Sequence, residues 1–136
     1  MLKDCVHKYY LEQNYNCAES LLRGANDHFG LALGDREMIL AGVFGAGIQT
    51  GNTCGAFLAA AMVVSMKYVA AKAHESADIK PAAALLTEKF SARMGSLLCS
   101  EVKPRFFVPG VRCLAVVDAA CEALEETLAE YQPAEA

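Results

Sequence analysis

A glycine-rich stretch that leads into the most apolar segment of the chain constrains the fold more than any other feature. Residues 42–55 contain five glycines within fourteen positions, and residues 55–66 carry no charged side chain. Glycine lacks a Cβ, so another backbone or a bound group can approach closely there. Cys54 stands at the junction, where Asn52 or Thr53 could cap a following helix. The positive end of that helix would favour a thiolate, which predicts a reactive or metal-ligating Cys54.

Apolar residues recur at helical spacing through most of the chain. The clearest pattern runs from Val111 to about Tyr131, where apolar residues alternate in steps of three and four. Residues 53–72 are apolar on nearly every side, which is typical of a helix at the centre of its domain. No strand-like alternation of useful length occurs. The sequence therefore predicts an all-α single domain over residues 1–136, a bundle of about five to six helices around a buried central helix at about 53–72.

The other element boundaries follow from caps and breakers. Glycine and asparagine positions delimit helices, and proline is excluded from helix interiors because it lacks an N–H and clashes with the preceding turn. The expected elements are helices at residues 2–12, 17–29 and 36–48, a helix ending near Gly95, and a loop at residues 103–110, which contains two prolines.

Charge and composition exclude several classes of function. The net charge is −4, the pI is about 5.3, and no basic cluster occurs, so nucleic-acid binding has no electrostatic support. The N-terminus lacks the apolar core of a signal peptide. The longest uncharged apolar run, residues 55–66, is too short to span a bilayer. We therefore expect a cytoplasmic protein with no membrane span.

Six cysteines are many for a chain of 136 residues. Without a secretion signal, structural disulfides are disfavoured, and such richness points to metal binding or redox chemistry. No pair has C-x-x-C spacing, so the signatures of thioredoxins and zinc ribbons are absent. Cys5 and Cys121 lie on or beside apolar helix stripes and are predicted to be core residues.

The remaining four cysteines fall near predicted helix ends and form what we term the cysteine set: Cys17, Cys54, Cys99 and Cys113. Three of them occupy first turns, and Cys99 follows the end of the fifth helix. Helix ends of antiparallel neighbours meet at one pole of a bundle, so we expect the set to gather there. In the alternative interpretation each is a small core residue, which is the commonest role of a free cysteine.

The glycines around Cys54 allow two interpretations. They permit either helices that cross at short distance or the approach of a bound group. Under the second interpretation the candidate binding positions are Gly45, Gly47, Gly51 and Gly55. The spacing does not fit a dinucleotide-binding loop, and no strand precedes it.

Four motifs of the chain together form a recognisable pattern. In order they are Asn16-Cys17-Ala18-Glu19, the stretch from Gly42 to Gly51, Cys54-Gly55-Ala56-Phe57-Leu58-Ala59, and Cys99 followed by Cys113 before the last helix. In this pattern the chain resembles the C_GCAxxG_C_C family of redox-active proteins over most of its length. Ala59 departs from the family motif, which ends in glycine, but the change removes no thiol.

The resemblance implies a small helical protein with redox-active cysteines and specifies no substrate. Two mechanisms fit four converging thiols. In the first, a thiol-based oxidoreductase or electron carrier cycles between dithiol and disulfide, with Cys54 as the attacking thiolate. In the second, the cysteine set ligates an iron–sulfur cluster or zinc.

A third interpretation is a non-redox helical interaction or scaffold module whose cysteines are buried in the core and far apart. The redox partner is unidentified under either redox mechanism. A surface rich in alanine and glycine would also suit a homodimer.

Overall fold

The computed structural model describes residues 1–134, and within this range it is all-helical, as predicted. It contains no β-strand in that range, only two isolated bridges. The α-helices are α1 (Leu2–Glu12), α2 (Cys17–Phe29), α3 (Asp35–Ile39), α4 (Gly55–Tyr68), α5 (Ile79–Met94), α6 (Cys99–Phe106) and α7 (Leu114–Glu130). The expected count of five to six helices was too low, because α6 is a separate short helix that brings the described total to seven.

The bounds of α1 and α2 agree with the prediction because their ends are set by local chemistry. The Asn16 side chain accepts a hydrogen bond from the Glu19 amide at 2.9 Å, and Glu19 Oε1 accepts one from the Asn16 amide at 3.0 Å. This reciprocal pair is a capping box. At the other end of α2, Gly30 adopts the left-handed conformation with φ of 62° and ends the helix.

Helix α4 forms the centre of the fold and packs against α2, α5 and α7. It is shorter than the expected 53–72, since it begins at Gly55 and ends at Tyr68. Ala56, Ala60 and Val64 are among its residues buried in a hydrophobic core shared with the other long helices. No helix within residues 1–134 combines the length and the apolar character needed to cross a membrane.

The predicted helix at residues 36–48 is wrong beyond Ile39. A 3-10 turn spans Leu40–Phe44, and Gly45 then takes an extended conformation with ψ of 152°. From Ala46 to Gln49 four consecutive residues have positive φ, between 51° and 63°. Left-handed backbone costs about 1–2 kcal/mol for each non-glycine residue. The surrounding contacts must therefore hold this left-handed turn in place.

The loop expected at residues 103–110 is also partly wrong, because α6 continues through Pro104 to Phe106. Proline has no backbone N–H and therefore cannot donate one of the helical hydrogen bonds. Because α6 ends two residues later, only that bond is lost. Cys99 follows the end of α5 at Met94, as expected, and is also the first residue of α6. A turn closed by Val108 and Arg112 then delays the start of α7 to Leu114.

Candidate functional site

The cysteine set lies at the beginnings of four different helices. Cys17 and Cys99 are the first residues of α2 and α6, while Cys54 and Cys113 are the N-cap residues of α4 and α7. All four line one cavity of about 200 Å³, which we term the cysteine cavity. Helix N-termini carry partial positive charge, so four such ends surround the thiols.

A short backbone bridge holds Cys54 beside Cys99. The Cys54 amide donates to the Leu97 carbonyl at 2.6 Å, and the Cys99 amide donates to the Asn52 carbonyl at 2.7 Å. Thr53 and Leu98 lie between these bonds as an isolated antiparallel bridge. The pairing joins the start of α4 to the start of α6, although the two cysteines are far apart in the sequence.

Gly55 brings the start of α4 against α2. A Cβ at this position would lie 3.0 Å from Cys17 Sγ and would collide with the Phe44 carbonyl oxygen. Both approaches require the absence of a side chain. Gly55 also lines the cysteine cavity. The same residue therefore allows the close backbone packing and forms part of the cavity wall.

The other three candidate glycines also contact protein atoms. At Gly47, where φ is +63°, a Cβ would lie 2.7 Å from Cys99 Cβ. At Gly45 a Cβ would collide with the Asn16 side chain, and at Gly51 it would lie 3.3 Å from Ser100 Cβ. Close packing of the protein on itself therefore accounts for these positions.

Tyr10 and Arg112 fix the position of Cys113. The Cys113 amide donates to the Tyr10 hydroxyl at 3.0 Å. The Arg112 guanidinium lies 3.9 Å from the centroid of the Tyr10 ring and donates to the Tyr10 carbonyl. Tyr10 was not among the site residues predicted from the sequence. The sequence signal that could have indicated this arrangement is Arg112, a cation directly before Cys113.

Burial dominates the titration of Cys54. It raises the pKa of the thiol from 9.0 to about 12, although the amides of Phe57 and Ala56 act in the opposite direction. The helix start therefore does not produce the reactive thiolate expected at this position. That expectation was wrong because the loss of water outweighs the partial charge of the helix end.

Burial also raises the pKa of Cys17 and of Cys113. The amide of Ala46, in the left-handed turn, is the largest influence that lowers the pKa of Cys17. For Cys113, the positive charges of Lys103 and Arg112 lower the pKa, while the neighbouring Cys99 raises it. Two cations thus act on the half-buried Cys113, whereas the main influences that lower the pKa of the buried Cys54 are backbone amides.

A second cavity of about 560 Å³, which we term the outer cavity, adjoins the cysteine cavity. Four residues line both cavities: Ala46, Cys99, Lys103 and Phe107. Among the described residues, no aspartate or glutamate lines either one. Lys103 and Phe107 were missed because residues 103–110 were expected to form a loop. In helix α6, Lys103 lies four residues after Cys99 and therefore on the same face.

Thiolates suit zinc and iron–sulfur clusters, but the donors do not fit such a group as they are placed here. Within residues 1–134, no three His, Cys, Asp or Glu side chains are grouped so that they could hold a metal ion. All six cysteines are free thiols. Cys121 is fully buried in the core, as predicted, while Cys5 is half-buried, and neither lines the cysteine cavity.

The fold and the site define a class of small all-helical proteins in which four cysteines from distant parts of the chain line one cavity. Residues 15–127 match the family model described as "Putative redox-active protein (C_GCAxxG_C_C)". The match covers most of the chain, which therefore belongs to this family, as the motifs predicted. No curated protein and no solved structure matches the chain.

Proposed function

We propose that the protein transfers electrons by interconverting dithiols and disulfides within the cysteine set. The observation that carries the proposal is that all four cysteines line the same cavity while Cys5 and Cys121 do not. Four thiols from four helices around one small cavity form the arrangement that disulfide exchange within the protein requires. The family's description as redox-active supports the same chemistry.

The surroundings of the thiols favour two pairs. Cys17 Sγ lies against Gly55, the residue that follows Cys54, and Cys99 is the neighbouring thiol that raises the pKa of the half-buried Cys113. We term Cys17 and Cys54 the inner pair, and Cys99 and Cys113 the outer pair. The inner pair combines the buried Cys54 with the half-buried Cys17, whereas both members of the outer pair are half-buried. The outer pair is therefore the better candidate for exchange with a partner.

The proposed reaction begins with the Cys99 thiolate, which attacks one sulfur of a partner disulfide and releases one partner thiolate. Cys113 then attacks Cys99 Sγ, which forms the Cys99–Cys113 disulfide and releases the second partner thiolate. Two electrons pass from the protein to the partner, and the two protons of the protein thiols end on the partner thiols. The inner pair can then reduce the outer disulfide and become oxidised in its place.

Two observations disfavour the alternatives. Zinc or an iron–sulfur cluster needs several donors grouped around one centre, and no three donors of the described residues form such a group. A scaffold module with unrelated core cysteines gives no reason for the whole set to line one cavity.

The testing experiment combines a thiol count with disulfide mapping. Protein purified without oxygen is examined by visible spectroscopy and by iron and zinc analysis, and is then oxidised with hydroxyethyl disulfide, which carries no charge. We expect a colourless, metal-free protein that loses four thiols, and peptide mass spectrometry should locate the Cys17–Cys54 and Cys99–Cys113 bonds. Reduction should restore all six thiols.

Other outcomes would contradict the proposal. Six thiols that never change would favour the scaffold module. Iron with a broad charge-transfer band would favour a cluster, and stoichiometric zinc would favour a structural metal site. Variants Cys5→Ser and Cys121→Ser serve as controls, because they should leave the loss of four thiols unchanged.

A further inference from the structure

Cys99 forms part of the wall between the cysteine cavity and the outer cavity. It is half-buried, lines both spaces, and is the first residue of α6. Cys17, Cys54 and Cys113 line only the cysteine cavity. A molecule in the outer cavity would therefore meet Cys99 before any other thiol of the set.

The size and walls of the outer cavity suit a small molecule. Its volume of about 560 Å³ lies within the range of roughly 300–1,000 Å³ that is typical of small-molecule sites. Pro104 and Phe107 supply apolar surface, while Gln49 and Ser100 supply polar groups. A cavity of this size admits a low-molecular-weight disulfide but not a folded domain.

The charge at the two cavities is opposite to the charge of the whole chain. The protein has a net charge of −4, yet the two cavities are lined by Lys103 and Arg112 and by no carboxylate of the described residues. Within residues 1–134, Lys103 forms no salt bridge, and its ammonium group lies 5.5 Å from the centroid of the Phe107 ring. A cation at a cavity wall without a carboxylate favours an anionic ligand.

We propose that the outer cavity binds a low-molecular-weight disulfide that carries a carboxylate or a comparable anionic group, and that Cys99 is the residue that exchanges with it. This inference rests on the proposed function. Lys103 attracts and positions the anion beside Cys99, and Phe107 packs against the carbon skeleton of the ligand.

The bonds and electrons balance as in any thiol–disulfide exchange. The Cys99 thiolate attacks one sulfur of the ligand disulfide, so that a mixed disulfide forms at Cys99 and one ligand thiolate leaves. Cys113 then attacks Cys99 Sγ, the mixed disulfide breaks, and the second ligand thiolate leaves. The ligand gains two electrons, the outer pair loses them, and the two thiol protons pass to the two ligand thiolates.

The first test compares three small disulfides of similar size and different charge. Dithiodiglycolate carries two carboxylates, hydroxyethyl disulfide is neutral, and cystamine carries two ammonium groups. Each rate of thiol loss is divided by the rate of the same probe with a small neutral thiol, because the three leaving thiols differ in intrinsic reactivity, and we expect the corrected rates in that order. A charge pair at 4 Å in water changes an equilibrium about fivefold, so Lys103→Glu should slow the dianionic probe by on the order of fivefold or more and should accelerate cystamine.

Two further variants separate charge from shape. Lys103→Met keeps much of the apolar stem and should slow dithiodiglycolate less than Lys103→Glu does. The matched control is Lys72→Glu, which makes the same change in net charge at an exposed position that lines neither cavity. It should leave the ratio of the three rates nearly unchanged, and raised salt should reduce the preference of the wild-type protein.

The second test locates the reacting sulfur. In Cys113→Ser the resolving thiol of the outer pair is missing, so the mixed disulfide should accumulate, and mass spectrometry of samples quenched with acid at early times should find the thioglycolate adduct on Cys99. An adduct on Cys17 or Cys54, or equal rates for all three probes, would overturn this inference while leaving disulfide cycling intact. A protein that reacts with none of the probes would overturn both proposals.

Discussion

Cys54 and Cys121 are both buried, but only Cys54 belongs to the cysteine set. Cys54 is 4% exposed and Cys121 is 0% exposed, and burial is the main reason that the pKa of each thiol is raised. Cys121 lies in the middle of α7, where the neighbouring charges include those of Asp118 and Glu125. Cys54 lies at the start of α4, with other thiols as neighbours. Position on the helix and the surrounding groups distinguish the two thiols, whereas burial does not.

The backbone around Cys54 also differs from the backbone around Cys121. Cys121 is surrounded by regular helix, whereas Cys54 follows a segment in which residues 46–49 all have positive φ. Strained backbone persists only where surrounding contacts determine it, and it is common at functional sites. Here the contacts include the Asn16 side chain, which donates to the Gly42 carbonyl at 3.0 Å. The irregular segment allows the helix starts to meet.

The largest effect is expected when serine replaces one cysteine of the cysteine set, Cys99, or the core cysteine Cys121. In Cys99→Ser, disulfide exchange should fall to the background rate, because a hydroxyl group cannot form a disulfide, while stability should change little at this half-buried position. In Cys121→Ser, exchange should persist, while a buried hydroxyl should lower the free energy of unfolding by about 1–3 kcal/mol. Exchange rates and urea unfolding measure the two effects. Loss of exchange in Cys121→Ser alone would reverse the assignment.

The sequence predicts those elements whose ends depend on neighbouring residues. Asn16 and Gly30 delimit α2, and Gly95 ends α5 with φ of 77°. These signals act over a few residues and can be recognised without knowledge of the tertiary structure. The membership of the cysteine set could likewise be predicted, since all four members fall near helix ends.

The errors arise where long-range contacts override local preferences. Residues 40–49 have the composition of a weak helix, but contacts with Asn16 and with Cys99 at the start of α6 favour an irregular path. Pro104 was assigned to a loop on local grounds, yet α6 tolerates it. The pKa of Cys54 was predicted in the wrong direction because the sequence reveals the helix start but not the depth of burial.

A substitution at Gly55 tests the close contact between α4 and the Phe44 carbonyl. In Gly55→Ala the added Cβ would collide with that oxygen, so we expect a loss of about 2–4 kcal/mol in the free energy of unfolding. The matched control is Gly30→Ala, where no atom lies within 4 Å of the new Cβ and only the φ of 62° is unfavourable. The control should lose about 1 kcal/mol. Equal losses in the two variants would show that the packing at Gly55 is dispensable.

The raised pKa of Cys54 predicts a loss of stability at alkaline pH. Above pH 9.0 the unfolded chain releases the thiol proton, whereas the folded protein keeps it until pH about 12. The contribution of this thiol is therefore complete below pH 9 and is lost as the pH rises towards 12, with a slope of up to about 1.4 kcal/mol per pH unit. Cys54→Ala should reduce the measured slope by one proton. An unchanged slope would show that the thiol already ionises in the folded protein.

The smallest expected effect concerns Ala59, where the family motif has glycine. Ala59 is fully buried in α4, so Ala59→Gly should lose about 1 kcal/mol of helix propensity and about 0.8 kcal/mol for the buried methyl group. Ala92→Gly, at an exposed position of α5, should lose only the first amount. Because Ala59 does not line the cysteine cavity, its replacement should leave the exchange rate unchanged. If Ala59→Gly instead accelerated exchange, the methyl group would restrict the thiols from inside the core, and the two regions compared above would be coupled through α4.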